Sequence, residues 1–270
     1  MTHEPKRLRF ALGQTVSRLQ DTAGNLRTVC ELSIEAARQG ARLIVFPEGC
    51  LTGNALVDSA SQAVMPAEAG AFEPLARIAT EHGITICPGF VTPFNGKFNT
   101  VHAVIEPGGS VRFQHKAFRA KTEPPFLAAW PDPARVVFEV DGIRIVITIC
   151  SEFGAPGVRE ATDLAAPELL LHPSAGSLKP EQVWRDGETP SAAAREFGEY
   201  CRGIVTRAAE RIRASCVPKM GSNPIGFDGE AWWPGNSYAV DAAGRVALWM
   251  KGENRPALMR SSVEVADISV

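Results

Sequence analysis

The sequence predicts an α/β protein in which two mixed sheets pack face to face between layers of helices, a four-layer α-β-β-α sandwich. Helix-then-strand units, which favour parallel pairing, are mixed with three hairpin patterns, and this combination is typical of mixed sheets. A mixed sheet covered by helices on one side leaves an apolar face, which a second sheet would bury. Without a linker, repeat or low-complexity tract, residues 1–270 are predicted to form a single domain.

The first 90 residues read as strand, helix, strand, helix and strand. The first strand is "RLRFALGQ" (7–14). In the next segment apolar residues recur at helical spacing, with Asn25 as the predicted N-cap and Gly40 as the stop. "ARLIVFPEG" (41–49) is a short buried strand, and "FEPLARIATEHGITICPGF" (72–90) repeats the order of helix and strand.

Three hairpins are predicted from turn residues between alternating segments, with turns at Pro107–Gly109, Asp141–Gly142 and Asp241–Gly244. A strand in "ELLLHPS" (168–174) and a helix near 195–212 lie between the last two hairpins. The Pro-rich segment "KTEPPFLAAWPDP" (121–133) is a loop of a length that usually has a functional role.

Composition excludes several classes of partner. The chain is 45% hydrophobic and 21% charged, as expected of a globular protein with a sizeable core. A net charge of −2 gives no electrostatic signature of binding to nucleic acid or anionic membranes. No apolar run approaches the roughly 20 residues that span a bilayer. The opening "MTHEPKRLRF" has no apolar signal region, which predicts a cytoplasmic protein.

The cysteines and glycines indicate neither a metal nor a cofactor. Six cysteines are spread along the chain without a CxxC or Cys/His cluster, so we expect reduced thiols rather than disulfides or a zinc site. No Gly-rich phosphate loop is present, since "GSNPIG" and "PGN" read as turns.

Three apolar strands end on a reactive side chain. "LIVFPEG" ends at Glu48, "VRFQHK" at Lys116 and "IVITIC" at Cys150. Strand ends at one edge of an α/β sheet converge on a common crevice. A cysteine nucleophile needs a base for its proton and a cation for the developing oxyanion, and a carboxylate beside a lysine supplies both.

Other interpretations of these residues exist. Taken singly, Cys150 fits a buried small hydrophobe, Glu48 a turn residue and Lys116 a solvated strand edge. A Cys-His dyad would draw on His115 or His172, although neither has an evident orienting partner.

Ordered segments along most of the chain resemble the nitrilase superfamily, also called the carbon–nitrogen hydrolases. The segments are "LIVFPEGCLTG" (43–53), "FNTVHAVIEPGGSV" followed by "FQHK" (98–116), "GIRIVITICSEFGAP" (142–156), "TRAAERIRASCVPKMGSNPIG" (206–226) and "PGNSYAVDAAGRV" (234–246). The resemblance implies an α-β-β-α sandwich that pairs sheet against sheet across a dimer, and it implies no cofactor.

The resemblance also implies residue roles. Cys150 would attack a carbonyl or nitrile carbon, and Glu48 would be the general base. Lys116 would stabilise the oxyanion, with the backbone N–H of Ser151 as the second donor. Glu123 is the candidate for a second glutamate that follows the lysine in many family members.

Departures from the family pattern narrow the expected branch. The residues after Cys150 are Ser151 and Glu152, whereas the nitrile-cleaving branch usually has Trp-Glu and many amidases have Tyr-Asp. The chain ends just past "EVADISV", without the extension common in nitrilases and aliphatic amidases. These features predict a short-chain amidase or carbamoylase.

Substrate contacts are expected from loops around the crevice. The candidates are Glu152, Phe153, His172 and Trp184, with Trp130 and the Trp232–Trp233 pair as further aromatic candidates that could equally pack in the core. A carbamoyl amino acid would need a cation for its carboxylate, for which Arg119, Arg185 and Lys179 are the candidates.

The expected function is hydrolysis of a non-peptide C–N bond in a small linear amide through a cysteine thioester, with release of ammonia. The alternatives are an N-carbamoyl amino acid or amine hydrolase, a nitrilase, and a catalytically silent binding protein on the same fold. The expected partners are a small-molecule amide and further copies of the chain in a homodimer or larger homo-oligomer.

Overall fold

The structure is a computed structural model that describes residues 6–270. Its strands are β1 Arg7–Gln14, β2 Leu43–Val45, β3 Thr85–Cys87, β4 Gly89–Phe94, β5 Lys97–Ile105, β6 Val111–His115, β7 Phe138–Val140, β8 Ile143–Ile147, β9 Leu169–Leu171, β10 Lys219–Gly221, β11 Ile225–Phe227, β12 Trp232–Pro234, β13 Ser237–Val240, β14 Val246–Met250 and β15 Ser262–Ser269. Its α-helices are α1 Thr22–Arg38, α2 Glu73–His82, α3 Pro156–Ala165, α4 Ala192–Arg195 and α5 Phe197–Ser215.

The first sheet is mixed. Its strand order is β15-β1-β2-β3-β5-β4, and β6 pairs with β5. Strands β1, β2 and β3 run parallel, because α1 and α2 cross from one strand to the next. The predicted 107–109 turn joins β5 to β6 as an antiparallel pair, and β15 closes the other edge antiparallel to β1.

The second sheet repeats this design with the order β14-β13-β10-β9-β8-β7. Its centre is parallel, β8 with β9 and β9 with β10. The two remaining predicted hairpins form its edges, β7 with β8 and β13 with β14. A separate two-stranded pair, β11 with β12, stands where the sequence suggested only turns.

The two sheets pack against each other through a continuous apolar core. Phe10 and Val45 of the first sheet belong to the same buried cluster as Ile145 and Met220 of the second. A second cluster joins the outer face of the first sheet to α1 and α2, and a third joins α5 to β13. The predicted α-β-β-α fold is therefore confirmed, and this contact between sheets lies within one chain. The pairing across a dimer that the resemblance implies stays a prediction.

Helix ends depart from the sequence predictions in places. Helix α1 begins three residues before Asn25, because the Asp21 side chain caps it by accepting a hydrogen bond from the Gly24 N–H. The Asn25 side chain instead donates to the carbonyls of Arg18 and Leu51, which fixes the loop that precedes the helix.

Helix α3, directly after Cys150, was not predicted. Its start carries a recognisable signal, since Pro156 occupies the first turn, where a missing N–H has no cost. Among residues 6–270, no helix combines the length and the apolar character that crossing a membrane requires.

Candidate active site

Glu48 lies in a tight turn at the carboxyl end of β2. The Gly53 N–H donates to the carbonyl of Gly49, and the Leu51 N–H donates to that of Gly89. Gly49 has a φ of +67°, which glycine adopts without strain. The Asn54 side chain donates to the backbone carbonyl of Glu48 at 2.7 Å. The turn therefore holds the buried Glu48 side chain in a defined position.

Lys116 follows the last residue of β6 and is buried. Its N–H donates to the carbonyl of Thr100, and its carbonyl accepts from the Trp130 N–H and from the Asn99 side chain. The His115 ring stacks on Trp130 with ring centroids 3.9 Å apart. The Pro-rich loop thus closes over the strand end and secures the backbone of Lys116.

Cys150 begins a short 3₁₀ turn after β8. Its φ of +48° lies in the left-handed region, which is unusual for a residue with a side chain. The Cys150 N–H donates to the carbonyl of Pro173 at 2.8 Å. The carbonyl of Cys150 accepts from His172 Nε2 at 3.0 Å, so the backbone on both sides of the sulfur is fixed.

Lys116 lies between two carboxylates. Its Nζ donates to Glu48 Oε1 at 2.8 Å and also to Glu123 Oε1. Glu123 in turn accepts from the Ser151 hydroxyl at 3.0 Å and from the Ala120 N–H. The structure therefore brings Glu48, Lys116, Glu123 and the Cys150 turn into one cluster.

The charges of this cluster shift the pKa values of the amine and the thiol. Burial opposes the charge of Lys116, but Glu48, Cys150 and Glu123 together raise its pKa above the ordinary value. Burial, followed by the repulsion of Glu48, raises the pKa of Cys150 to about 12, although the Lys116 charge and the Ala175 N–H act in the opposite direction. At neutral pH the amine is charged and the thiol holds its proton.

The backbone N–H of Ser151 is the second oxyanion donor that the resemblance implies. Within residues 6–270 it donates to no acceptor. It belongs to the same turn as Cys150, whose 3₁₀ conformation orients consecutive N–H groups alike. Lys116 Nζ and this N–H are two donors that could face an oxyanion.

Glu152 was expected to contact substrate, and its position does not support that role. Its side chain is fully buried, and it accepts from the Ala117 N–H at 2.5 Å and from the Ile149 N–H at 2.8 Å. Arg135 Nη1 adds an ion pair at 3.2 Å. With both oxygens engaged inside the protein, Glu152 links the residue after Lys116 to the residue before Cys150.

Phe153 and His172 lie together beside the Cys150 turn. Their ring centroids are 5.0 Å apart, and 37% of the Phe153 surface is exposed. Because a carbonyl oxygen only accepts, His172 Nε2 carries the hydrogen in its bond to Cys150. Burial, and then the charge of Lys219, lower the pKa of His172 to about 3. This nitrogen cannot also take the thiol proton, which disfavours the Cys-His interpretation.

Two cavities flank the cluster. One, of about 210 Å³, is lined by Cys150, His172 and Tyr238 among others. The other, of about 60 Å³, is lined by Glu48, Glu123 and Ala175 among others. Trp233 lines the smaller cavity, and its Nε1 donates to Asp228 at 2.7 Å, so one member of the predicted tryptophan pair lies at the site.

Other predicted contacts lie outside these cavities. Trp184 lines neither of them, and its Nε1 donates to the carbonyl of Glu188 at 3.3 Å. Trp130 is occupied by stacking on His115. Arg119 donates to the carbonyl of Glu123 at 2.8 Å, while Lys179 and Arg185 are exposed.

The sequence analysis did not identify Arg135, the partner of Glu152, or Lys219, the cation near His172. Arg135 precedes a strand in an ordinary position, and no local pattern signals its ion pair 17 residues further on. Lys219 is a single lysine between a proline and a methionine. Among residues 6–270 no group of three His, Cys, Asp or Glu side chains is arranged to hold a metal ion.

Comparison with known families agrees with this architecture. The family model for carbon-nitrogen hydrolases matches residues 9–255. Since the match covers most of the chain, this protein belongs to the carbon-nitrogen hydrolase family, and the resemblance to the nitrilase superfamily is confirmed.

The curated relatives are matched over only part of their length. A hydrolase of Mycobacterium tuberculosis is 34% identical over 162 residues, covering 56% of this chain and 55% of that protein. A hydrolase of Pseudomonas protegens is 28% identical over 177 residues, covering 64% and 61% respectively. The chain thus spans little more than half the length of these relatives.

Solved structures share the fold. An amidase from Nesterenkonia sp. superposes with a TM-score of 0.74 at 20% identity, covering 97% of this chain and 90% of that one. A glutamine-dependent NAD+ synthetase of Acinetobacter baumannii gives 0.73 at 17% identity, covering 97% of this chain and 45% of the synthetase.

Proposed function

We propose that this protein is an amidase that hydrolyses a small linear amide through a thioester on Cys150 and releases ammonia. The observation that carries the proposal is the position of the Lys116 ammonium. It is buried between Glu48 and Glu123, beside a cysteine whose backbone is held in a strained turn. Membership of the carbon-nitrogen hydrolase family agrees with this chemistry.

Acylation begins with a thiol rather than a thiolate, because the pKa of Cys150 is raised to about 12. Glu48 accepts the thiol proton while sulfur bonds to the amide carbon, and the carbonyl oxygen becomes an oxyanion. Lys116 Nζ and the Ser151 N–H stabilise that oxyanion. The intermediate collapses, the C–N bond breaks, and the proton on Glu48 passes to nitrogen, which leaves as ammonia.

Deacylation uses the same groups in the second half of the cycle. Glu48 removes a proton from water as the water oxygen bonds to the thioester carbon. The C–S bond then breaks, the sulfur recovers the proton, and the carboxylic acid leaves. Glu123 holds Lys116 and the Ser151 hydroxyl throughout, so the two oxyanion donors keep their positions.

Chemistry recorded for the structural neighbours supports the choice of amides. The Nesterenkonia amidase has been studied with butyramide, and a variant of it carries the acetamide moiety of fluoroacetamide on its active-site cysteine. The cavity of about 210 Å³ that Cys150 lines has room for substrates of that size.

The test is a substrate panel with ammonia detection. Aliphatic amides, ureido acids and nitriles are compared at neutral pH, and we expect release from amides. Cys150→Ser should remove the activity without changing the circular dichroism spectrum, while Cys216→Ser, at an exposed position, should retain it. Ammonia release by Cys150→Ser at the wild-type rate would refute the mechanism.

The panel also decides between the alternatives. Preference for ureido acids would indicate a carbamoylase, and preference for nitriles a nitrilase, since both reactions use the same groups. An arylacetonitrilase from Macrophomina phaseolina is 50% identical, but over only 46 residues, 17% of this chain and 13% of that protein. A protein that releases ammonia from none of these compounds would instead support a silent binding role.

A further inference from the structure

A surface loop forms one wall of the smaller cavity beside Glu48. This segment, the 54–62 loop, follows the Glu48 turn, and Ala55, Leu56 and Gln62 of the loop line the cavity. Gln62 closes the base of the loop, because its Oε1 accepts a hydrogen bond from the Ala55 N–H at 2.9 Å. The position of this cavity wall therefore depends on how the loop is held.

The tip of the 54–62 loop has little packing of its own. Residues 56–60 are all exposed, and 84% of the Val57 surface is open to solvent. A segment with so few buried contacts opens readily unless hydrogen bonds from elsewhere fix it. One such bond, from Gln20 Nε2 to the carbonyl of Ala60, is long at 3.3 Å.

Glu230 anchors this tip to the β11–β12 pair. Its Oε2 accepts from the N–H of Leu56 at 2.9 Å and from that of Val57 at 3.2 Å. Partial burial opposes the charge of Glu230, but hydrogen bonds from Ser61 and from three backbone N–H groups of the loop outweigh it and lower the pKa of Glu230. At neutral pH the carboxylate is charged, and a charged acceptor forms the stronger hydrogen bonds.

The turn that carries Glu230 is itself fixed and belongs to the same cavity. The Asp228 carboxylate accepts from the N–H groups of Glu230 and Ala231, both at 2.8 Å, and from Trp233 Nε1 at 2.7 Å. Trp233 is buried and lines the smaller cavity. The β11–β12 pair therefore supplies one wall of the cavity through Trp233 and holds another, the 54–62 loop, through Glu230.

The smaller cavity is the space into which a leaving amine would depart. In the proposed mechanism Glu48 passes its proton to the amide nitrogen, and Glu48 lines this cavity. Ala175, whose N–H donates to the Cys150 sulfur, lines it as well. The volume is about 60 Å³, compared with about 210 Å³ for the cavity that Cys150 lines. An acyl group thus has room, whereas the nitrogen has space for little more than ammonia or water.

We propose that Glu230 determines specificity for the leaving group: by holding the tip of the 54–62 loop, it keeps the smaller cavity small and restricts the enzyme to primary amides. The inference rests on the proposed function, because it concerns the nitrogen half of the same amide. Glu230 lines neither cavity, so it acts through Leu56 and Val57 as a positioning residue. Without its carboxylate the tip can move outward, and an N-alkyl group can enter.

The experiment compares butyramide with N-ethylbutyramide, which has the same acyl group and a bulkier leaving amine, by the butyrate that each forms. Glu230→Ala removes the acceptor. We expect the ratio of kcat/KM for N-ethylbutyramide to that for butyramide to rise at least about 10-fold, while kcat/KM for butyramide changes by less than about 3-fold. An unchanged ratio, or an equal fall for both amides, would overturn the inference.

Two further variants serve as controls. Glu230→Gln keeps an oxygen that can accept from both N–H groups, so it should retain most of the wild-type preference for butyramide. Glu160→Ala removes an exposed carboxylate on α3 and should leave both rates unchanged. A ratio that rises as much in Glu160→Ala as in Glu230→Ala would also count against a specific role of Glu230.

Hydrogen exchange separates this inference from the proposed function. If the wild type forms no butyrate from either amide, the proposed function fails. Exchange of the Leu56 and Val57 amides does not depend on turnover, and acceleration of at least about 10-fold in Glu230→Ala supports the hold on the loop. Equal exchange in the two proteins refutes the inference, even where butyramide is hydrolysed.

Discussion

At the scale of single residues, the candidate site depends on how charges are balanced around Lys116. Two carboxylates hold one ammonium, and the thiol beside them keeps its proton because burial and Glu48 raise its pKa to about 12. In the proposed mechanism the cysteine therefore depends on a base at the moment of attack rather than on a preformed thiolate. Glu48, in direct contact with Lys116, is the group available for that proton.

The first prediction concerns Glu48. Glu48→Gln keeps the shape of the side chain and its contact with Lys116 but removes the proton acceptor, so we expect kcat for an amide to fall by about 10²- to 10⁴-fold. Glu81→Gln, at an exposed position of α2, serves as the control and should be fully active. Undiminished kcat in Glu48→Gln would exclude Glu48 as the general base.

At the scale of secondary-structure elements, the site depends on a connection between the ends of β6 and β8. Glu152 accepts from the N–H groups of Ala117 and Ile149, which follow Lys116 and precede Cys150 respectively. Arg135 neutralises the carboxylate within the protein. This one side chain sets the separation between the amine and the sulfur.

The second prediction follows from that connection. Glu152→Gln leaves the Arg135 charge buried without its partner, and we expect the free energy of unfolding to fall by about 3 kcal/mol. The kcat of the variant should fall while KM changes little, because Glu152 lines neither cavity. Urea unfolding and steady-state kinetics provide the two readouts.

The matched control is the exposed pair of Glu199 and Arg202 on α5, where Glu199→Gln should have little effect on stability. In Glu152→Gln combined with Arg135→Met, part of the lost stability should return, since the unpaired charge is gone. A Glu152→Gln variant with wild-type stability and kcat would contradict the positioning role.

The sequence predicted those strands, helices and site residues that a short local pattern marks. Glu48, Lys116 and Cys150 could be proposed because each lies within three residues of the end of a strand. Helix α1 was placed too late, because both Asp21 and Asn25 are good caps and sequence cannot tell which one accepts the bond. The pair β11 and β12 was missed because each strand has only three residues.

Long-range pairings could not be predicted from the sequence. The partner of Glu152 was invisible because the ion pair forms only when the segment before β7 packs under the Cys150 turn. Lys219 was overlooked because lysine usually marks a solvated strand edge, and its burial results from the packing of α5 over β10 and β13.

At the scale of the whole molecule, the sandwich keeps two histidines in neutral form. His102 of β5 is fully buried, and neither of its ring nitrogens has a well-formed hydrogen bond. Burial lowers the pKa of His102 to about 3, and the pKa of His172 is likewise lowered to about 3. Assembly into a homodimer or larger homo-oligomer and a cytoplasmic location remain predictions.

The third prediction is acid sensitivity of the fold. Between pH 6.5 and about 3 the unfolded chain binds protons at these histidines that the folded chain does not, so stability rises with pH across this window. Lowering the pH from 7 to 5 should therefore reduce the urea midpoint. His102→Leu should show a shallower dependence on pH, and an unchanged slope would indicate that His102 is not buried in neutral form.

The central claim is that Cys150 carries the acyl group of the amide during turnover. The most direct measurement is the mass of the Cys150 peptide after acid quench of the enzyme during steady-state hydrolysis. The mechanism predicts an increase equal to the amide minus ammonia, which neutral hydroxylamine removes. Steady ammonia release without any acyl group on Cys150, and undiminished release by Cys150→Ala, would contradict it.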